Sequence, residues 1–161
     1  MIMSVKKLLL WEKWRPKNME DVILLPRIRK HFENGIDGNY IFHGHYGTGK
    51  TTLARILIGK YSKDKPYLEI NSSLYTSIDV LRSEIEDFCK FTPMMESESD
   101  IKFIFLDEFA YVPSNVAEQF FSSVYPTISS GQSSKVMIVS TPHGMNHFYR
   151  MWHDAEKKKN E

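Results

Sequence analysis

Four short apolar runs, each followed by a stretch with helical periodicity, organise the chain. "YIFH" (40–43) is β-prone, enters a glycine-rich turn and continues as a helix from about Lys50. "KPYLEI" (65–70) reads as a second strand, and Asn71 to Ser77 supply turn and capping residues. Ile78, Leu81, Ile85 and Phe88 then recur at helical spacing, which predicts an amphipathic helix over 77–91 with that stripe against a sheet. "IKFIFLD" (101–107) is apolar without alternation, the pattern of a parallel strand covered on both faces. Ser114 is expected to cap a helix carrying Ala117, Phe120, Phe121 and Val124. "KVMIVST" (135–141) follows the loop "SSGQSS" as another buried strand, and a last helix runs from Met145 to Lys158, with the lysines of 157–159 as its solvated end. "MMESESD" (94–100) reads as an acidic surface loop. Strands alternating with helices predict an open, parallel α/β sheet with right-handed crossovers, whose ligands bind at the carboxyl ends of the strands.

The turn after the first strand carries the sharpest chemical signal. "GHYGTGKT", Gly44 to Thr51, fits G-x-x-x-x-G-K-[ST], the P-loop pattern, between a predicted strand and a predicted helix. Gly44, Gly47 and Gly49 let successive N–H groups turn inward toward phosphate oxygens, and the helix start adds its positive end. Lys50 is placed to reach β and γ phosphates, and the Thr51 hydroxyl to ligate a bridging Mg2+. Asp107 and Glu108 end the central apolar strand. There the aspartate can hold the magnesium through water, and the glutamate can orient and deprotonate an attacking water. The reaction class implied is Mg2+-dependent hydrolysis of a nucleoside triphosphate. Ser140 and Thr141 end the next strand, where a hydroxyl can bond the γ phosphate or the water.

Composition narrows the setting without adding chemistry. The 161 residues are 42% hydrophobic and carry a formal charge of +1, so one domain is expected and overall charge gives no argument for nucleic acid. The single cysteine, Cys89, is expected to be a buried helix thiol, in keeping with a reducing compartment. "MIMSVKKLLLWEKW" is interrupted by Glu12 and Lys13 before any membrane span forms, so a cytoplasmic, membrane-free protein is expected. His43 and His45 flank Gly44 without a third nearby ligand and are expected to pack around the loop, not to bind zinc. His143, His147 and His153 are expected to face solvent or a partner.

Up to Phe109 the sequence resembles the ATPase subunits of DNA-polymerase sliding-clamp loaders, within the AAA+ class and especially those of tailed phages. "LWEKWRPKNMEDVILLP" (10–26) is similar to their amino-terminal signature, "HGHYGTGKTTLARIL" to their Walker A motif and "FIFLDEF" to their Walker B motif. The resemblance implies that Trp14, Arg15, Pro16, Val22 and Ile23 lie near adenine and ribose. It implies that Gly44, His45, Tyr46, Gly47, Thr48, Gly49, Lys50, Thr51 and Thr52 hold the phosphates of ATP. Lys50, Asp107, Glu108 and Thr141 form the expected catalytic set, with Thr51 and Asp107 on the metal. Implied partners are DNA, the sliding clamp and other clamp-loader subunits in an oligomer.

Beyond Phe109 the pattern departs. Clamp loaders end the next strand in Thr-x-Asn, where this chain has Ser140, Thr141 and Pro142, and their Ser-Arg-Cys segment and three-helix lid are not in this sequence. Arginine fingers of the Ser-Arg-Cys kind can contribute ~10³ to 10⁵ in rate, so weak turnover in isolation is expected. "FAYVPSNVAEQFFSSVYPTISSGQSSKVMIVSTPHGMNHFYRMW" (109–152) instead resembles the large terminase subunit that packages phage DNA, with Thr141 matching its coupling-motif threonine; capsid and portal would then be the partners. The expectation is a P-loop domain over 1–161, clamp-loader-like over 1–109 and terminase-like over 110–161, either a hybrid joined near "LDEF" or one short phage ATPase. Its spatial strand order is expected to be the P-loop strand, 135–141, 101–107, then 65–70, with no fifth strand to cover the first strand's outer edge.

Overall fold

A computed structural model describes residues 10–62, 67–74, 77–90, 102–129 and 134–159. The acidic stretch 94–100, most of the "SSGQSS" loop and the extreme amino-terminal residues of the sequence reading lie outside these. Two short helices, α1 (Leu10–Lys13) and α2 (Pro26–His31), precede β1 (Tyr40–His43) and α3 (Lys50–Tyr61). Then come β2 (Leu68–Asn71), α4 (Ile78–Lys90), β3 (Lys102–Asp107), α5 (Ser114–Gln119), α6 (Tyr125–Ser129), β4 (Ser134–Ser140) and α7 (His147–Lys159). All four strands are parallel in the order β1-β4-β3-β2, with Phe42 opposite Val139 and Asn71 opposite Asp107. The expected order of strands is the one found.

The unbroken apolar character of β3 and β4 follows from burial on both faces. Ile104, Leu106, Val136 and Ile138 pack against Leu81 and Ile85 of α4, Val116 and Ala117 of α5, Phe120 and Phe148. Their sequence neighbours Phe103, Phe105, Met137 and Val139 point the other way, onto Leu53, Ala54, Leu57 and Ile58 of α3 and onto Phe32. With side chains alternating across the pleat, a run in which every residue is apolar fills both layers. The inner strands therefore bring their carboxyl ends to one rim, beside the loop that leaves β1.

Three local expectations need correction. Ser114 does not cap α5: Pro113 occupies the cap position, the helix starts at Ser114 itself, and no side chain caps it. Proline serves there because its fixed φ suits the entry to a helix. Asn71 ends β2, paired opposite Asp107, and still serves the turn as expected, its Oδ1 accepting the Ser73 amide at 3.2 Å. The helix after β3 is not regular: Phe120–Val124 is a π-helical turn between α5 and α6, with the Ser123 hydroxyl donating to the Gln119 carbonyl. His147 faces solvent only in part: its ring stacks on Phe121 with centroids 4.9 Å apart, its Nδ1 is buried without a partner, and that partial burial lowers its pKa. His143 lies against the Tyr111 ring and His153 stacks on Tyr149. Among the described residues no helix is long and apolar enough to cross a membrane.

Candidate active site

The loops at the carboxyl ends of β1, β2, β3 and β4 enclose a cavity of about 530 Å³. Arg15, Tyr46, Gly47, Gly49, Lys50, Thr51, Thr52, Asp107, Glu108 and Thr141 line it, all of them singled out in the sequence. At Gly47 and Gly49 the backbone has φ of 74° and 81°, and a Cβ placed on either would meet nothing within 4 Å. These torsions, disfavoured for L side chains, lead into α3, whose first amides have no partner within the helix and no side chain capping them.

Lys50 is held by the loop itself. Its Nζ donates to the carbonyls of Gly44 and His45, each at 2.9 Å, and to Thr141 Oγ1 at 3.2 Å. Burial lowers the Lys50 pKa, while the Glu108 and Asp107 charges oppose that shift. The Thr51 hydroxyl donates to Asp107 Oδ1 at 3.2 Å, and the Glu108 amide donates to the same oxygen at 3.1 Å. Burial raises the Asp107 pKa, against the hydrogen bond from Thr51 and that from the Glu108 amide.

Glu108 is the one described non-glycine residue with positive φ, at φ 56° and ψ 35°. Such a conformation costs about 1–3 kcal/mol and persists only where neighbouring structure enforces it. Its Oε2 is buried without a hydrogen-bond partner, and its pKa is raised by burial and by the adjacent Asp107, with Lys50 acting against both. A raised pKa makes this carboxylate a stronger proton acceptor than an ordinary glutamate. Oxygen donors from Thr51 and Asp107 side by side suit a hard divalent cation such as Mg2+, which retains several waters.

Not every expected residue reaches the cavity. Gly44, His45 and Thr48 shape the loop without lining it; Gly44 and His45 offer carbonyls to Lys50, and the Thr48 hydroxyl donates to the His45 carbonyl at 2.9 Å. Of the amino-terminal arm, only Arg15 arrives, its Nη1 donating to Thr52 Oγ1 at 3.1 Å. Trp14 and Ile23 are 76% and 102% exposed, Pro16 is not a lining residue, and Val22 packs against the α3-side core. The His43 ring lies 4.3 Å from that of Trp152 on α7, so packing near the loop describes it.

Three lining residues were missed: Arg55, Glu69 and Asn71. Arg55 pairs with Glu69 at 2.5 Å. Arg55 lies one helical turn beyond Thr51, a face relation that could have flagged it. Asn71 and Glu69 enter through sheet register, opposite Asp107 and Phe105.

Residues 40–152 match the family model described as ATPase family associated with various cellular activities (AAA). The chain belongs to the AAA family of ATPases. It is 35% identical over 105 residues to the replication factor C small subunit of Methanothermobacter thermautotrophicus, covering 60% of this chain and 32% of that protein. The replication factor C small subunit of Picrophilus torridus is 34% identical over 140 residues, covering 78% of this chain and 43% of the relative. This AAA chain thus spans well under two thirds of the curated relatives it matches. A structure of a RuvB variant from Thermotoga maritima superposes with a TM-score of 0.56 over 85% of this chain and 45% of that one, at 16% identity, a likeness of fold.

Proposed function

We propose that this AAA domain binds ATP with Mg2+ and hydrolyses it as a clamp-loader-type subunit in DNA replication, of the kind that tailed phages carry. The observation that carries the chemistry is the convergence of Lys50, Thr51, Asp107, Glu108 and Thr141 on one cavity. Lys50 exchanges the loop carbonyls it now bonds for phosphate oxygens, and the glycine-rich backbone presents its amides to the same oxygens. Thr51 and Asp107 hold the cation, which when bound neutralises charge on the phosphates. Glu108 takes a proton from the attacking water, a role its raised pKa favours. Thr141 stands where it can bond the γ phosphate while still contacting Lys50.

The biological assignment is supported by the replication factor C relatives and by the amino-terminal arm, which delivers Arg15 to Thr52. DNA, a sliding clamp and sister subunits follow as partners. The packaging reading rests on the sequence after Phe109. Against it, the AAA match covers residues 40–152, on both sides of Phe109, and β4 continues the sheet in register between β1 and β3. One P-loop domain accounts for both halves.

The test is ATP turnover by the purified chain, alone and with clamp plus primed DNA or with portal plus linear DNA. Strong stimulation by clamp and primed DNA is expected. Stimulation by portal and linear DNA alone would reassign the chain to packaging, and nucleotide binding without any turnover would leave a binding module.

A further inference from the structure

Asn146, in the loop between β4 and α7, joins two elements through one amide. Its Nδ2 donates to the Ala110 carbonyl at 2.6 Å, and its Oδ1 accepts the Tyr149 amide at 3.2 Å, capping α7. Ala110 is buried, and its own N–H donates to Ser140 Oγ at 2.9 Å, where Ser140 is 1% exposed. Both backbone polar groups of Ala110 are therefore held by side chains from outside its own turn. That turn is the 3-10 segment Phe109–Tyr111, whose first hydrogen bond runs from the Tyr111 amide to the Glu108 carbonyl at 3.1 Å.

Glu108 thus precedes a turn that is fixed at Ala110 from two sides, and its own left-handed backbone needs such enforcement. Its Oε2 is buried with no hydrogen-bond partner, so no bond to that oxygen fixes the carboxylate. We infer that Asn146 is a positioning residue for Glu108: by clamping the Ala110 carbonyl while capping α7, it ties the aim of the water-activating carboxylate to the seating of that helix. The inference rests on the proposed hydrolysis for its kinetic consequence, but not for its structural one.

Asn146→Asp separates the two bonds. An ionised carboxylate still accepts the Tyr149 amide and so keeps the cap, yet it has no hydrogen to give the Ala110 carbonyl. Asn146→Ser likewise keeps a capping oxygen and loses the amide nitrogen that reaches the Ala110 carbonyl, and serves if the aspartate variant fails to fold. In the full chain, the variant is expected to shift the Glu108, Phe109 and Ala110 amide resonances in NMR spectra while those of α7 stay in place. Turnover is expected to fall by about tenfold or more, a part of the ~10² to 10⁴ that a positioned general base supplies. Nucleotide affinity is expected to stay within about twofold, because nothing that binds ground-state nucleotide has moved. Unmoved Glu108 resonances overturn the inference, as does unchanged turnover where the wild type is active. A wild type without turnover whose Glu108 resonances nevertheless move in the variant would defeat the hydrolysis reading and leave the positioning intact.

Discussion

The Lys50 ammonium and the Thr141 hydroxyl meet across 3.2 Å, joining the start of α3 to the residue that follows β4. Thr141 is 5% exposed, so its hydroxyl is spent on this site and not on solvent. Thr141→Val keeps the shape and removes the oxygen. If the hydroxyl acts on the transferring phosphate, kcat should fall by roughly ten- to a hundredfold with KM nearly unchanged, the pattern of a bond made in the transition state. A rise in KM alone would show that it serves only to hold nucleotide.

Lys50→Ala removes the one loop cation that bonds both the Gly44 and His45 carbonyls. Binding of ATP with Mg2+, followed by calorimetry, should become undetectable at protein concentrations that saturate the wild type. Unchanged affinity would contradict the phosphate assignment.

The two carboxylates predict a pH dependence of stability. Folding raises the pKa values of Asp107 and Glu108, each chiefly by burial, so the folded state holds their protons more tightly than the unfolded chain does. Stability from this source is fully present below the ordinary carboxylate range and is lost as pH rises through the raised values. Glu108→Gln should therefore increase Tm at neutral pH, and the gain should shrink as pH is lowered through that range. A gain that grows on acidification would reverse the sign of the argument.

Phe120 is fully buried and packs its ring against those of Phe109, Phe121 and Tyr125. Phe120→Ala should cost about 3–5 kcal/mol, read as a lowered urea midpoint with unchanged slope. Because Phe109 directly follows Glu108, turnover by the surviving folded fraction should fall as well.

Much of this architecture was legible because its causes are local. Residues 103–106 and 136–139 are apolar at every pleat position, which only a doubly covered strand requires, and the P-loop spacing places Lys50 and Thr51 by itself. What stayed hidden depends on distant chain. Glu69 and Asn71 reach the cavity through their pairing with β3, and Asn146 matters through the Ala110 carbonyl 36 residues away in sequence. The π-helical turn at Phe120 has no periodic signature distinct from the helices around it, and the partial burial of His147 depends on Phe121 from another helix. The arm residues Trp14 and Ile23 carry the family resemblance without touching the cavity here.

The open space around Gly47 and Gly49 has a consequence for chemical synthesis. Room is not what keeps these positions glycine; handedness is, since an L side chain disfavours φ of 74° and 81° whereas its mirror image prefers them. A D-alanine installed at Gly49 by peptide ligation should thus adopt this backbone without torsional strain, and by narrowing the choices of the unfolded chain it should stiffen the loop, where L-alanine would distort it. In this stretch the protein follows the stereochemistry of the opposite enantiomer.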